Sequence, residues 1–333
     1  MEGHAHESDS SPVSTGHLPP PGLVQAMVET AHARFNGNDE GRNADYYPAL
    51  ASVSRGLFGI CVAGADGAIY AAGDADYPFT IMSVAKPFVF ALVCQELGAQ
   101  QARAKLGVNS TGLPFNSVMA VELSTSRLTN PMVNSGAIAA TSLVPGATAA
   151  EKWRRIHEGL SRFAGRALSL NEAVYASASA TNYRNQGIAR LLWSYGRLYF
   201  DSAETVDLYT RQCSLEVTAR DLAVMGATLA DGGVNPLTGD RVIDADHCQH
   251  VLAVMATAGL YETSGDWLYD IGLPGKSGVG GGIVTVAPGK GGLGTFAPPL
   301  DEAGNSVKGQ LAARFLSEYL GLSLFASKPV EGI

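Results

Sequence analysis

The chain has 333 residues, of which 46% are hydrophobic and 16% charged, and its formal net charge at pH 7 is −8. This length suits one large domain or two modest ones, and a composition rich in core-forming residues argues against a disordered or fibrous protein. The acidic balance, with no Lys/Arg cluster, argues against nucleic acid as a general partner, because phosphate binding needs clustered basic side chains.

Residues 1–21 are rich in Ser, His and Pro, and they predict a flexible N-terminal tail. They lack the basic and apolar regions of a signal peptide, and no apolar run in the chain is long enough to span a bilayer. We therefore expect a cytoplasmic location and no membrane association. Residues 22–333 are expected to form a single domain.

The first predicted elements are a helix followed by a hairpin. Apolar residues at helical spacing indicate an amphipathic helix over residues 23–35. Residues 56–64 predict a buried strand, and Asp66-Gly67 is a turn signal that brings residues 68–72 back as its partner.

The next segment carries the most informative pair of residues, Ser83 and Lys86. At this spacing the two side chains lie one turn apart on the same face of a helix. Pro87 is tolerated only in the first turn, so Ser83 is predicted at the N-terminal end of a helix running to about Leu97. A partly desolvated lysine is one of the few groups able to take the proton of a serine hydroxyl. On spacing alone, a helix-start serine beside a solvated lysine is the better explanation, because two common residues at this spacing recur by chance in most chains of this length.

Helical patterns dominate the middle third of the chain, and strand patterns return near its end. Beyond Cys213, helices are predicted over residues 217–230, 244–258 and 307–320, and strands over 280–287 and 294–297. Strands near both ends imply an α/β (α+β) fold in which a sheet lobe is assembled from distant segments around an inserted helical lobe. The boundaries place the sheet lobe at about 22–90 and 213–333, and the helical lobe at about 91–212.

A glycine-rich stretch at residues 275–282 resembles a phosphate-binding loop at first sight. The Walker pattern needs a glycine where this chain has Asp270, and the stretch leads into a strand and not a helix. We interpret it as an edge strand that approaches the active site, with the N–H of Val279 available to stabilise an oxyanion. A simple glycine turn between helix and strand remains the alternative.

No residue pattern predicts a metal or another cofactor. His247 and His250 share a ligand-like spacing, but no acidic motif lies near them. The cysteines show no C-x-x-C spacing and are predicted to be reduced, mostly buried residues: Cys61, Cys94, Cys213 and Cys248.

Four stretches together resemble the serine-dependent glutaminase family, whose fold is that of serine β-lactamases and penicillin-binding proteins. They are residues 81–86, 130–138, 207–214 with 231–236, and 272–283, and the likeness extends over about 23–320 in the same order. The resemblance implies hydrolysis of L-glutamine to L-glutamate and ammonia through an acyl-enzyme, without a cofactor. It also implies self-association as a homodimer or homotetramer.

Carried over position by position, the resemblance makes Ser83 the nucleophile and Lys86 its general base. Tyr46 matches a tyrosine beside this dyad, and Tyr261 matches a proton relay to the leaving ammonia. The backbone N–H groups of Ser83 and Val279 match the donors that polarise the amide carbonyl. Three further positions match residues that hold the amino-acid part of the substrate: Asn134, Asn185 and Tyr209.

One position departs from the family pattern. Ala178 stands where the family carries a glutamate that holds the substrate's α-ammonium, and losing such a partner costs roughly 2–5 kcal/mol of binding. Three interpretations follow: Glu172 or Glu204 replaces the missing acid, the true substrate is a different amide without a free α-amine, or the protein is a weakly active or inactive relative.

Two rival functions complete the sequence-based expectations. A β-lactamase-like or D-alanyl peptidase acts outside the cytoplasm, which the absence of an export signal disfavours. A glutamine- or glutamate-binding module with an unused dyad is the rival outside catalysis.

Overall fold

The computed structural model of the protein describes residues 16–45 and 47–327. Most of the predicted tail, residues 1–15, lies outside the described residues, as do 328–333 and one predicted site residue, Tyr46.

Five strands form one antiparallel sheet in the order β2-β1-β7-β6-β5. A separate pair, β3 with β4, lies beside the entry to the Ser83 segment. The strands are β1 Gly59–Gly64, β2 Ile69–Gly73, β3 Phe79–Thr80, β4 Glu216–Val217, β5 Gly275–Ser277, β6 Gly282–Ala287 and β7 Gly291–Phe296.

The helices divide between the faces of this sheet and a helical lobe inserted after α3. They are α1 Pro21–Phe35, α2 Pro48–Ala51, α3 Ala85–Leu97, α4 Ala99–Leu106, α5 Met119–Glu122, α6 Asn134–Leu143, α7 Ala149–Ala164, α8 Glu172–Thr181, α9 Tyr183–Ser194, α10 Ser202–Cys213, α11 Ala219–Ala230, α12 Ala245–Ala258, α13 Ser264–Ile271 and α14 Val307–Tyr319. Two 3₁₀ turns, Met82–Val84 and Tyr261–Thr263, precede α3 and α13.

Helix α11 packs on one face of the sheet, and α1 and α14 pack on the other. Glycines in β7 allow α11 to approach closely, since a Cβ at Gly292 would lie 2.2 Å from the carbonyl oxygen of Ala223. Thr218 and Asp221 form a capping box at the start of α11, which satisfies its free N–H groups. The layered antiparallel sheet confirms the predicted α/β fold, with strands drawn from both ends of the chain.

The predicted boundaries agree with the structure to within a few residues in most elements. Helix α1 begins two residues before the predicted start, and the hairpin register pairs Ala63 with Ile69 around the Asp66-Gly67 turn. The prediction for β7 was displaced: it placed a strand at 294–297, whereas the strand begins at Gly291. Gly291 and Gly292, which the prediction left out, belong to the strand that contacts α11.

Among the described residues, no single helix has both the length and the apolar composition to cross a membrane. By those two criteria alone, the pair Met82–Leu97 and Ala99–Leu106 passes when taken together, with a bend of 120° between them.

Candidate active site

Ser83 lies at the junction between the sheet and the helical lobe. It occupies the 3₁₀ turn that leads into α3, and its residue is 7% exposed at the wall of a cleft of about 340 Å³. Met82, immediately before it, has a φ of 47°. A non-glycine residue in this region costs about 1–3 kcal/mol and persists only where the surrounding structure holds it. The chain is therefore turned sharply at the residue that precedes the serine.

Lys86 is buried beneath the cleft in the first turn of α3 and is 1% exposed. Its Nζ donates hydrogen bonds to the carbonyl oxygen of Met132 at 3.3 Å and to Oδ1 of Asn134 at 2.7 Å. Burial lowers the pKa of Lys86 from 10.5 to about 7, and the nearby thiol of Cys213 opposes that shift. An amine with this pKa is substantially neutral at pH 7, as a general base requires.

Asn134 connects the lysine to the wall of the cleft through a chain of side-chain hydrogen bonds. Its Oδ1 also accepts from the hydroxyl of Tyr209 at 3.2 Å, and its Nδ2 donates to Oδ1 of Asn185 at 3.0 Å. Asn185 in turn donates to Oδ1 of Asn182 at 2.6 Å. These contacts fix the orientation of the amides, so the positions predicted to hold substrate form one connected group.

Strand β5 brings a second buried lysine to the same region. Lys276 Nζ donates to the carbonyl oxygens of Gly259 and Ser277 at 2.8 and 2.6 Å, and it lies 4.1 Å from the centre of the Tyr261 ring. Burial lowers the pKa of Lys276 well below its usual value, and the charge of Lys86 lowers it further. Tyr261 donates its hydroxyl to the same Ser277 oxygen at 3.2 Å.

The turn after β5 lies directly against the backbone of the serine. A Cβ at Gly278 would lie 3.2 Å from the backbone nitrogen of Ser83 and 3.0 Å from the carbonyl oxygen of Ile81. Val279, the next residue, lines the cleft. Within the described parts of the chain, neither the N–H of Ser83 nor that of Val279 has a hydrogen-bond acceptor. The cleft wall therefore carries two backbone donors, at Ser83 and Val279, that no described residue engages.

The cleft brings together most of the site residues predicted from the sequence. Its lining includes Ser83, Asn134, Asn185, Tyr209 and Val279. Lys86 lies beneath it. Tyr261 lies at its edge, with its ring centre 4.7 Å from that of Phe115, which lines the cleft. Tyr46 lies outside the described residues.

Sequence reasoning missed several residues of the cleft wall. Tyr47 and Cys213 both line it, and burial raises their pKa values to about 12 and about 11. The prediction that all four cysteines are free agrees with the structure, yet Cys213 is half-buried at the cleft. A signal was available for Cys213, because it lies within the stretch 207–214 that also carries Tyr209.

Ala178 lines the cleft on helix α8, at the position of the departure from the family pattern. Glu172 and Glu204, the two acids considered as replacements, are exposed and do not belong to the cleft lining. The interpretation that either of them substitutes for the missing acid has no support in this arrangement. The described residues also contain no group of three or more His, Cys, Asp or Glu side chains placed to hold a metal ion.

The fold belongs to the serine β-lactamase-like class. This class is defined by an antiparallel sheet with helices on both faces, an inserted helical lobe, and a serine at the start of the helix that lies between sheet and lobe. Comparison with known proteins narrows this class. The glutaminase family model matches residues 41–325, and the chain belongs to the glutaminase family.

Individual relatives agree with this assignment over almost the whole chain. Glutaminase 2 of Yersinia pestis is 68% identical over 317 residues, which cover 95% of this chain and 93% of the relative. A glutaminase of Brucella canis is 50% identical, covering 92% of this chain and 96% of the relative. The solved structure of a probable glutaminase, ybaS, superposes with a TM-score of 0.91 at 45% identity, covering 93% of this chain and all of that one.

Proposed function

We propose that this protein is a glutaminase, an amidohydrolase that converts the side-chain amide of L-glutamine to L-glutamate and ammonia. Its membership of the glutaminase family supports the reaction. The observation that carries the mechanism is the environment of Lys86. A neutral amine has two N–H donors, and Lys86 directs hydrogen bonds at two acceptors, Met132 O and Asn134 Oδ1. The nitrogen lone pair is then left for the proton of the Ser83 hydroxyl.

In the proposed acylation step, Ser83 Oγ attacks the amide carbon while Lys86 takes the hydroxyl proton. The carbonyl oxygen becomes an oxyanion that accepts hydrogen bonds from the N–H groups of Ser83 and Val279. The C–N bond breaks as a proton passes to the nitrogen, so ammonia leaves and a glutamyl ester remains on Ser83. We assign Tyr261 the relay of that proton, since its hydroxyl donates to the same Ser277 carbonyl oxygen as Lys276 Nζ.

Water completes the reaction by the reverse sequence of proton transfers. Lys86 accepts a proton from water, the hydroxyl adds to the ester carbon, and the ester C–O bond breaks to return the proton to Ser83 Oγ. Cys213 does not compete as nucleophile, because burial keeps its thiol protonated, with a pKa of about 11. We assign Asn134, Asn185 and Tyr209 to binding of the amino-acid part of the substrate, and Tyr46 to the dyad by resemblance alone.

The proposal extends to the protein's domain organisation, self-association and cellular location. Residues 22–333 act as one catalytic domain whose sheet lobe and helical lobe meet at the cleft. The protein self-associates as a homodimer or homotetramer, which light scattering at several concentrations would test. It acts in the cytoplasm, which cell fractionation would test.

The experiment that tests the function compares two buried lysines. Lys86→Met should lower ammonia release from L-glutamine by about 10²–10⁴-fold, the usual contribution of a general base. Lys152→Met is the matched control, because Lys152 is also buried and also donates to two acceptors, the carbonyl oxygens of Ser142 and Val144, but lies outside the cleft. It should retain activity in the folded fraction. Stabilisation of the native chain by L-glutamine without ammonia release would favour a binding module and contradict the proposal.

A further inference from the structure

Among the residues that the structure describes, no carboxylate lines the end of the cleft beside helix α8. Ala178, which is 3% exposed, and Thr181 face the cleft from α8, and Arg184 and Asn185 face it from α9. Across the described parts of the chain, Arg184 is the one lining side chain that carries a formal charge at pH 7. The cleft therefore presents neutral polar groups and one cation to whatever occupies it.

Asp207, on helix α10, lines a neighbouring cavity and is already paired. Asp207 lines a neighbouring cavity on the far side of Asn182 and Thr210, which both cavities share. Its carboxylate accepts from the hydroxyl of Tyr175 at 2.5 Å and from Nε of Arg211 at 2.8 Å. Asp207 is therefore engaged elsewhere and does not face the cleft.

The amide oxygens at this end are neutral, and each already accepts one hydrogen bond. Asn185 Oδ1 accepts from Asn134, and Asn182 Oδ1 accepts from Asn185. An ammonium group placed here would lose its hydration without gaining an anionic partner, which is unfavourable for a buried charge. An amide nitrogen or a methylene group at the same place carries no charge and avoids that loss, while a substrate carboxylate would gain from the cationic surroundings.

We propose that the cleft does not select for a free α-ammonium, and that this protein hydrolyses the terminal amide of five-carbon acids whose α-nitrogen is acylated or absent. This inference rests on the proposed glutaminase chemistry and specifies its substrate class. The bond that breaks is the same terminal C–N bond: water supplies the hydroxyl of the new carboxyl group, ammonia leaves, and the group on the α-nitrogen is untouched. The acyl group would lie along Ala178 and Thr181 towards the exposed Arg184.

The decisive measurement compares ammonia release by the native chain from L-glutamine, N-acetyl-L-glutamine and the monoamide of glutaric acid. We expect kcat/KM for the acetylated and deaminated substrates to lie within about tenfold of the L-glutamine value, because no charge pair is lost with them. A site that depends on an ammonium partner would instead lose about thirtyfold to several thousandfold with them. That outcome, with L-glutamine turned over well, would overturn the inference and leave the proposed function intact. No ammonia from any of the three would refute the proposed function itself.

Two substitutions at position 178 distinguish the effect of a negative charge from the effect of side-chain volume. Ala178→Glu should shift the ratio of kcat/KM for L-glutamine over N-acetyl-L-glutamine by at least about thirtyfold towards L-glutamine. Ala178→Gln fills nearly the same volume without a charge and should leave that ratio within about threefold of its native value. Equal ratios in the two variants would contradict the inference. Should Ala178→Glu fail to fold, Thr181→Glu, three residues along the same helix and exposed, tests the same shift.

Discussion

Replacing Asn134 with Asp places a carboxylate where Lys86 now contacts a neutral amide. The two side chains are nearly identical in shape, and Lys86 Nζ lies 2.7 Å from the oxygen that would become anionic. An opposite charge at this distance favours the protonated amine and raises its pKa. Because the proposed acylation needs the neutral amine, the variant should be less active than the native chain at pH 7 for an electrostatic reason and recover at higher pH.

The size of the effect follows from the position of the native pKa. With a pKa of about 7, about half of the Lys86 side chains are neutral at pH 7. A carboxylate this close typically shifts a neighbouring pKa by about 1–3 units, so the neutral fraction at pH 7 would fall to between about one tenth and one thousandth. The acylation rate at pH 7 should therefore fall by about fivefold to five-hundredfold.

The assay is kcat/KM for L-glutamine as a function of pH in the native chain and the variant. The native kcat/KM should rise with pH with a midpoint near pH 7. In Asn134→Asp the midpoint of this rise should lie at least about one pH unit higher. Titration of the substrate affects both proteins equally and cancels in their ratio. Asn134→Ala is the control: it loses the hydrogen bond to Lys86 but adds no charge, so its activity should fall without that upward displacement. A midpoint that stays near pH 7 in the Asp variant would refute the role assigned to Lys86.

Three other changes test the same account. Lys86 is charged in the unfolded chain and largely neutral in the folded one above pH 7. The unfolded state therefore binds one more proton, and the free energy of unfolding should rise by about 1.4 kcal/mol per pH unit from about pH 7 to 10. Urea denaturation of Lys86→Met at several pH values should show a slope smaller by that amount, and equal slopes would argue against a depressed pKa. Gly278→Ala should lower kcat by about 10²–10³-fold with little change in melting temperature, because the added methyl group would displace the N–H of Ser83. An unchanged kcat would rule out the Ser83 N–H as an oxyanion donor. Asp221→Ala should lower the free energy of unfolding by about 2 kcal/mol, since Asp221 caps α11 and pairs with the half-exposed Arg166. Asp240→Ala breaks the more exposed pair with Arg162 and should lower it by less than about 1 kcal/mol. Equal losses in chemical denaturation would contradict the capping role of Asp221.

Local patterns in the sequence predicted the elements whose signals are local. The Asp66-Gly67 turn predicted the hairpin, and Pro87 placed the start of α3 close to Ser83. The start of β7 was misplaced because glycines have little strand propensity, whereas here their missing side chains are what allow α11 to pack on the strand. Close packing between distant segments has no local signal.

The candidate site shows the same division. The spacing of Ser83 and Lys86 suggested a dyad, and the resemblance added Asn134, Asn185 and Tyr209. Their mutual hydrogen bonds, and the burial that depresses the Lys86 pKa, arise only when α3, α6, α9 and α10 are packed together. For the same reason the sequence did not indicate that no acid among the described residues lines the end of the cleft beside Ala178.

The central claim, that Ser83 is acylated and Lys86 activates it, is tested most directly by trapping the intermediate. The native chain would be mixed with L-glutamine, quenched in acid within one turnover, digested and mapped by mass spectrometry. The account predicts a glutamyl adduct on the peptide that contains Ser83, lost in Ser83→Ala and strongly reduced in Lys86→Met. An adduct on the Cys213 peptide, or rapid turnover that persists in Ser83→Ala, would contradict it.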